Sequence, residues 1–163
     1  MHIRAASIAD AEAIASLQRA EILAGAGMVQ SPEQAPTIEE ITARFASYRG
    51  ATVRIVAEVD GVIVGEAELK QLTPKRCAHV AVLSVGVHPD FHRRGIGRAL
   101  MQHLIDHARA HALKRLELQV RSDNDAAIAL YRGLGFRHEG TREKFIALDD
   151  GTLIDDWTMA LFV

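Results

Sequence analysis

Hydrophobic and polar positions change their spacing several times along the chain, and each change predicts an element of secondary structure. In the first half these signals predict a strand over 2–6, a helix over 7–23, a loop over 25–36, a helix over 37–48 and hairpin strands over 52–59 and 62–72. Both helices begin with a capping box, in which Ser or Thr is followed three residues later by an acidic residue. The strongest hairpin signal is the dipeptide Asp60-Gly61.

Strands and helices alternate in the second half of the chain. The signals predict a strand over 79–87, a helix over 95–112, a strand over 115–120, a helix over 124–134 and a hairpin of strands over 136–148 and 152–162. The strand over 79–87 is rich in Val, Leu and Ala, so we expect it to be buried on both faces. Gly86 inside this strand indicates either a bulge or the close approach of another group, such as a ligand, to the backbone.

The order of the elements, β-α-α-β-β-β-α-β-α-β-β, predicts the fold. We expect an α/β (α+β) fold with a mixed central sheet of about seven strands and about four flanking helices. The strands over 79–87 and 115–120 are joined by a helix, so they should be parallel neighbours in a right-handed unit. The segment after the first of these strands then lies at the carboxyl end of a central strand, where α/β folds bind ligands. The 163 residues are expected to form one domain, 1–163.

Composition narrows the classes of function. A net charge of −2 gives no general attraction to nucleic acid or to anionic membranes, and no apolar stretch is long enough to span a bilayer. Cys77 is the only cysteine, which excludes an internal disulfide and fits a reducing compartment. The first residues lack the basic and apolar pattern of an export signal. We therefore expect a cytoplasmic protein that binds neither nucleic acid nor membrane.

A glycine- and arginine-rich segment over 92–98, which we call the glycine loop, follows the strand over 79–87. Its glycines are Gly95 and Gly97, at the start of a predicted helix, and its arginines are Arg93, Arg94 and Arg98. A helix start leaves backbone N–H groups unpaired and carries partial positive charge, and glycine lets a ligand approach the backbone closely. The pattern matches neither the G-x-G-x-x-G dinucleotide fingerprint nor a P-loop. It predicts a binding site for a phosphorylated ligand.

A second motif lies further along the chain, in the helix predicted over 124–134 and just after it. Its residues are Asn124, Ala127, Tyr131, Gly135 and Phe136. Together the two motifs resemble those of the GNAT superfamily of acetyl-CoA-dependent N-acetyltransferases. Members of that family carry a Gln/Arg-x-x-Gly-x-Gly/Ala loop, then Asn-x-x-Ala-x-x-x-Tyr on a helix, then Gly-Phe. His92 stands where the family usually has Gln or Arg.

The resemblance implies that acetyl-CoA is the cosubstrate and assigns residues that hold it. Backbone groups at the end of a strand are expected to hydrogen-bond the pantetheine arm as an added strand, around Val85, Gly86 and Val87. The diphosphate is expected on the loop residues His92, Arg93, Arg94, Gly95, Ile96, Gly97 and Arg98. Arginine side chains here can point to solvent, so we expect the backbone N–H groups to contribute most. Asn124 is expected to cap its helix and to contact the cofactor or its bound water.

The resemblance also implies a mechanism in which the amine attacks the thioester directly. Tyr131 matches the family's general acid, which protonates the departing thiolate. The general base stays open, because some branches of the family place Glu at the position of Ala81, which cannot accept a proton. The candidates are His79, Glu66, Glu68 or a water chain, and we name His79 together with Tyr131 as the catalytic residues.

Three histidines recur every four residues on the helix predicted over 95–112. They are His103, His107 and His111, and this spacing aligns imidazoles as in some zinc sites. No Glu follows the first histidine as in H-E-x-x-H, and the three lie on the polar flank of an apolar stripe. We interpret them as surface residues and expect no metal.

The sequence says least about the molecule that accepts the acetyl group. The leading hypothesis is a primary amine of a small molecule, such as an amino acid or an amine-bearing antibiotic or toxin. The alternatives are a protein amino terminus or lysine, a non-catalytic acyl-CoA-binding module, and a nucleotide-binding protein that uses the glycine loop alone. We expect the loop over 25–36 and the last hairpin to form the acceptor groove, where Arg44, Arg49 or Arg142 would hold a carboxylate. Dimers are common in the family, so a homodimer stays open.

Overall fold

A computed structural model describes residues 1–25, 27–47 and 51–163. In these residues the order of strands and helices predicted from the sequence is confirmed. The strands are β1 (His2–Ala5), β2 (Thr52–Val59), β3 (Val62–Gln71), β4 (Val80–Val87), β5 (Arg115–Arg121), β6 (Arg137–Ala147) and β7 (Leu153–Phe162). The α-helices are α1 (Ala11–Leu23), α2 (Ile38–Ala46), α3 (Ile96–Ala110) and α4 (Asp125–Gly133). The predicted end of α2 near Tyr48 lies outside the described residues.

All seven strands of the described residues belong to one sheet, in the order β1-β2-β3-β4-β5-β7-β6. Every neighbouring pair is antiparallel except β4 and β5, which are parallel as predicted. Their parallel pairing runs only from Val80 with Arg115 to Val82 with Glu117. Beyond Val82 the two strands separate, so the second part of β4 has β3 as its only strand neighbour.

Local sequence signals account for the ends of the elements. Asp60 and Gly61 both have positive φ, 50° and 80°, which is the backbone of a two-residue hairpin turn between β2 and β3. At the start of α2, Thr37 N–H donates to Glu40 Oε2 (2.9 Å) and Glu40 N–H donates to Thr37 Oγ1 (3.2 Å). This reciprocal capping box satisfies two backbone donors that the first turn leaves unpaired.

The main hydrophobic core lies between α3 and one face of the sheet. Its largest fully buried side chains on the helix are Leu100, Met101, Leu104 and Ile105. A smaller cluster joins α1 and α2 to the opposite face, where Ile14, Ile41 and Val56 pack together.

The expectation that the strand over 79–87 is buried on both faces is wrong. Ala81 and Leu83 are buried against α3, but Val82 on the other face is 37% exposed and Ser84 is also exposed. The cluster formed by α1 and α2 packs on Val56 of β2 rather than on this part of β4. The exposed face of β4 is therefore free to border a polar pocket.

Candidate active site

A cleft of about 850 Å³ opens where β4 and β5 separate. Parts of α1, β4, β5, the glycine loop, α3 and α4 line it, and among these residues are Glu21, Val85, Gly97, Gln119, Asn124 and Tyr131. Both sequence motifs therefore meet in one cleft, although they are separated by β5 along the chain. Its volume is that of a site for a large organic ligand.

The edge of β4 that faces the cleft carries backbone hydrogen-bonding groups. His88 N–H donates to Val64 O (2.9 Å). Bonded and non-bonded residue pairs alternate along an antiparallel ladder, so the β3–β4 register makes Gly86 the next residue whose backbone bonds to β3. Val85 and Val87 alternate with it and direct their N–H and C=O groups toward the cleft. The Val85 groups lie beyond the last residue pair between β4 and β5.

The backbone groups of Val87 have partners within the protein. Val87 N–H donates to Glu21 Oε1 (2.7 Å), and Val87 O lies 2.7 Å from His92 Nε2. The His92 ring is thus directed at the strand edge, where it holds the connection between β4 and α3. Of the two strand residues that the resemblance pairs with pantetheine, Val85 is the one that presents its groups to the cleft.

Glu21 approaches the backbone at Gly86. A Cβ atom at Gly86 would lie 2.5 Å from Glu21 Oε2, so any larger residue there would displace the carboxylate. The β3–β4 register runs through Gly86 without a shift, so the bulge that the sequence left open is not formed. The alternative, a close approach to the backbone, is confirmed, and a side chain of α1 makes it.

The Glu21 carboxyl group is an unusual acid. Only 6% of the residue is exposed, and burial raises its pKa to about 8. The Val87 N–H opposes this shift and the nearby charge of Glu66 adds to it. Near neutral pH the group is therefore able to gain or lose a proton, which suits acid–base chemistry.

Sequence reasoning missed Glu21, although one signal pointed to it. The residue lies seven positions after Ile14 and four after Leu17, so it belongs to the buried stripe of α1. A glutamate in an apolar stripe needs a polar partner, and its partner, Val87, lies 66 residues away along the chain. Nothing in the helix itself identifies that partner.

Tyr131 lies on α4 in the wall of the same cleft. It is 7% exposed, and burial together with the negative charge of Glu21 raises its pKa to about 12. Its ring packs at an angle against Phe136, with 6.0 Å between the ring centroids. The phenol therefore keeps its proton at neutral pH and has it available for donation.

Asn124 connects α4 to the loop over 25–36. Its Oδ1 accepts a hydrogen bond from Ala127 N–H (3.1 Å), which is the predicted helix cap. Gly27 lies directly against the Asn124 amide, where a Cβ atom would collide with Nδ2. The loop is also held at Met28, whose carbonyl accepts from Arg121 Nη1 (2.9 Å). Part of the predicted acceptor loop thus borders the cleft.

The glycine loop adopts a backbone suited to an anion. Arg93 and Gly95 have positive φ, 58° and 78°, and the left-handed Gly95 immediately precedes α3. The first N–H groups of α3, on Ile96, Gly97 and Arg98, have no carbonyl four residues earlier in the helix. They point out of the helix start at the mouth of the cleft.

Two arginine side chains of this loop contact the protein itself. Arg94 Nη2 donates to Asp90 O (3.1 Å), and its guanidinium lies 4.7 Å from the centroid of the Phe91 ring. Arg98 Nη1 donates to Gly133 O at the end of α4 (3.4 Å). These contacts support the expectation that backbone N–H groups contribute most to anion binding here.

His79 is placed away from the cleft. It is exposed, it precedes β4, and its carbonyl accepts from Lys114 N–H (2.8 Å) at the closed end of the β4–β5 pair. Five residues of extended strand separate Val80 from Val85, about 17 Å. The structure therefore does not bring His79 together with Tyr131, because the chain enters β4 at the opposite end from the cleft.

Glu66 and Glu68 line a second, polar pocket of about 390 Å³. It lies beside α1 and α2 and is lined by Gln18, Arg44, Ser47, Thr52, Arg54, Glu66, Glu68, Lys70 and Ser84. Arg54 lies 2.8 Å from Glu68 and 3.8 Å from Glu66, and Gln18 also donates to Glu66. Burial raises the pKa of Glu66. Ser84 borders both the polar pocket and the cleft.

The three arginines expected near the acceptor have different surroundings. Arg44 lines the polar pocket, and Arg142 is paired with Asp156, with 2.9 Å between Nε and Oδ2. Arg49 lies outside the described residues. The polar pocket borders α1, α2, β2, β3 and β4, and the described residues that line it include none of the last hairpin.

The histidines of α3 pack against each other. The rings of His107 and His111 are stacked, with centroids 3.9 Å apart, and His111 Nδ1 lies 2.8 Å from His107 O. Burial lowers the pKa of His107, and the neighbouring histidines add to this effect. Across residues 1–25, 27–47 and 51–163, no group of three or more His, Cys, Asp or Glu side chains is arranged to hold a metal ion. No helix in the same residues is long and apolar enough to cross a bilayer.

Comparison with known proteins agrees with this geometry. Residues 18–136 match the acetyltransferase (GNAT) family, and the chain belongs to that family. It is 40% identical over 89 residues to the N-alpha-acetyltransferase RimI of Mycobacterium tuberculosis, a match that covers 55% of this chain and 54% of that protein. It is 35% identical over 108 residues to the L-amino acid N-acetyltransferase AaaT of Escherichia coli, a match that covers 66% of each chain. The chain thus spans about half the length of the first relative.

Solved structures resemble the whole fold. The ribosomal-protein-alanine N-acetyltransferase of Brucella melitensis superposes with a TM-score of 0.90 at 27% identity over 100% of both chains. The protein yncA of Salmonella typhimurium, solved with its cofactor acetyl-CoA, superposes with a TM-score of 0.89 at 26% identity over 99% of this chain and 93% of that one.

Proposed function

We propose that this protein transfers an acetyl group from acetyl-CoA to a primary amine of a small molecule, by direct attack in a ternary complex. The observation that carries the proposal is the open edge of β4, which lies in one cleft with the glycine loop and Tyr131. An exposed strand edge pairs readily with an extended amide-containing chain. Membership in the acetyltransferase family supports the same reaction.

The residues of the cleft fit the parts of acetyl-CoA. Val85 offers one N–H and one C=O to the amides of an extended pantetheine arm, in the manner of an added strand. The helix start from Gly95 to Arg98 offers N–H groups and positive partial charge to a diphosphate. Arg93 lies at the cleft beside them and adds a positive charge.

Acetyl-CoA supplies an activated acyl group, and the chain's own residues place and protonate the reacting atoms. Tyr131 holds the proton that the departing sulfur requires. The cleft keeps the reacting groups together, which removes much of the entropic barrier to a two-substrate reaction.

The properties of the polar pocket support a small acceptor that carries one positive and one negative charge. Its volume of about 390 Å³ suits a compact molecule, and it meets the cleft at Ser84. Glutamate and arginine side chains together line it, which suits the ammonium and carboxylate groups of an amino acid. The similarity to the amino-acid acetyltransferase AaaT supports this class of acceptor.

A protein amino terminus is the second candidate acceptor. The similarity to the N-alpha-acetyltransferase RimI favours it. An amino terminus would present its ammonium group at the same point near Ser84, with the rest of the peptide outside the pocket. A non-catalytic module would bind acyl-CoA in the same cleft but would release no CoA thiol.

Release of CoA thiol tests the proposal. Purified protein is incubated with acetyl-CoA and, separately, with amino acids, polyamines, aminoglycosides and short peptides with free amino termini, and thiol is read with a thiol-reactive dye. We expect release with amino acids above that with peptides. Release with peptides alone would favour the second candidate. Tight CoA binding by calorimetry without release for any amine would contradict the proposed reaction.

A further inference from the structure

The Glu21 carboxylate lies on the open edge of β4, beyond the point where β4 and β5 separate. It accepts Val87 N–H (2.7 Å) and touches the backbone at Gly86, so a helix side chain is held on the open edge of a strand. The next N–H on this edge that faces the cleft belongs to Val85, about 7 Å from the Val87 N–H along the strand. A group bound to the Val85 N–H is therefore within reach of the Glu21 carboxylate.

The other carboxylates near this point are held by a cation. Glu68 receives two hydrogen bonds from Arg54, at 2.8 and 3.1 Å, and Glu66 lies 3.8 Å from the same guanidinium. A guanidinium stabilises the charged form of a carboxylate and so weakens it as a base. Glu21 accepts a backbone N–H and shows no ion pair among the described residues. Of the three carboxylates, Glu21 is the one that lines the cleft.

The route of an acceptor passes Glu21. Gln18, one turn earlier on α1, lines the polar pocket, whereas Glu21 lines the cleft. Ser84 borders both. An amine that moves from the polar pocket toward the open edge of β4 therefore meets the Glu21 carboxylate where it enters the cleft.

We propose that Glu21 is the proton acceptor for the amine and that the amine binds between Glu21 and Ser84. This inference rests on the proposed acetyl transfer. The amine nitrogen forms a bond to the acyl carbon, and one of its protons moves to the Glu21 carboxylate. The carbon–sulfur bond breaks, and sulfur takes the Tyr131 proton. Glu21 then returns its proton to the Tyr131 oxygen, so one proton has passed from nitrogen to sulfur and both side chains are restored.

The substitution Glu21→Gln tests this role. The amide oxygen can still accept Val87 N–H, so the strand edge and the fold are retained while the basic group is lost. With the amine that gives the fastest thiol release, we expect kcat to fall about 100-fold or more, which is the size of a general-base contribution. We expect the affinity for CoA, measured by calorimetry, to stay within about two-fold. The rise of kcat with pH around 8 should disappear from the profile.

Two further variants separate this role from others. Glu12→Gln removes a carboxylate from the exposed face of the same helix and should leave kcat and the pH profile unchanged. Glu21→Ala removes the side chain and should also bind CoA with unchanged affinity. A rise of more than ten-fold in CoA affinity would mean that Glu21 blocks the cosubstrate site, and it would overturn the proposal.

The proposal and the proposed function fail in different ways. If the wild-type protein releases thiol and Glu21→Gln keeps its kcat and its pH profile, the role of Glu21 is wrong and the acetyl transfer stands. If the wild-type protein binds CoA and releases no thiol with any amine, the acetyl transfer is wrong, and the role of Glu21 fails with it.

Discussion

The two halves of β4 have different neighbours. From Val80 to Val82 the strand is bonded to β3 on one side and to β5 on the other, and His79 precedes this closed half. From Ser84 to Val87 only β3 is bonded to it, and the other edge faces the cleft. The same kind of backbone thus stabilises the sheet in one half and offers hydrogen bonds to a ligand in the other.

This difference predicts where substitutions affect function. Changes at the open half and its surroundings should alter cofactor binding or turnover, whereas changes at the closed half should affect neither. The following predictions run from the largest expected effect to the smallest.

Gly97→Glu should abolish CoA binding. The new side chain places bulk and negative charge at the helix start that we assign to the diphosphate. Calorimetry with CoA measures the effect. Gln102→Glu adds the same charge on the exposed face of α3 and should bind CoA like the wild type. Tight binding to a folded Gly97→Glu protein would show that the diphosphate lies elsewhere.

Tyr131→Phe should lower kcat by about 10²- to 10⁴-fold, because it removes the group that we propose protonates sulfur. The ring and its packing against Phe136 are retained, so the KM for acetyl-CoA should change little. Steady-state rates of thiol release measure both constants. An undiminished kcat would exclude Tyr131 as the proton donor.

Glu21 should make the free energy of unfolding depend on pH. Its pKa is raised to about 8 in the folded protein from an ordinary value of 4.5, so between these pH values the folded state holds a proton that the unfolded chain has lost. Stability should therefore fall by about 1 kcal/mol per pH unit in this window and level off above pH 8. Glu66, whose pKa is also raised, adds to the fall.

Urea unfolding at pH 5.5 and pH 8 measures this dependence. Glu21→Gln should lose part of the fall and be more stable than the wild type at pH 8, and Glu12→Gln should keep the whole of it. Identical pH dependence in wild type and Glu21→Gln would mean that Glu21 is ionised throughout this range in the folded protein.

His79→Ala should have the smallest effect. The residue is exposed and precedes the closed half of β4, about 20 Å of strand away from Val85. We expect kcat and both KM values to stay within about two-fold of the wild type, as measured by thiol release. A loss of more than ten-fold in kcat would restore the role that we assigned to His79 from the sequence.

The sequence predicted those parts of the molecule that depend on local patterns. Capping boxes, the Asp60-Gly61 turn and the spacing of apolar residues identified every strand and α-helix of the described residues, because each signal lies within the element that it defines. The cleft was predictable for a similar reason. A glycine loop at a helix start binds anions through its backbone, and that requirement leaves a recognisable motif.

Glu21 and the polar pocket could not be predicted in the same way. Their groups come from α1, α2 and three strands, and the contact between Glu21 and Val87 spans 66 residues. A single sequence contains no signal for such a pairing. It indicates at most that a glutamate in the buried stripe of α1 needs a partner. The exposed face of β4 was missed because a run of apolar residues does not show that Val82 is left exposed and that Ser84 borders a polar pocket.

Amide hydrogen exchange at Val85, measured by NMR with and without CoA, tests the central claim most directly. If pantetheine pairs with the open edge of β4, the Val85 N–H should become strongly protected when CoA binds. The N–H of Gly86, already bonded to β3, should change little. CoA binding, established by calorimetry, with no added protection at Val85 would contradict the account.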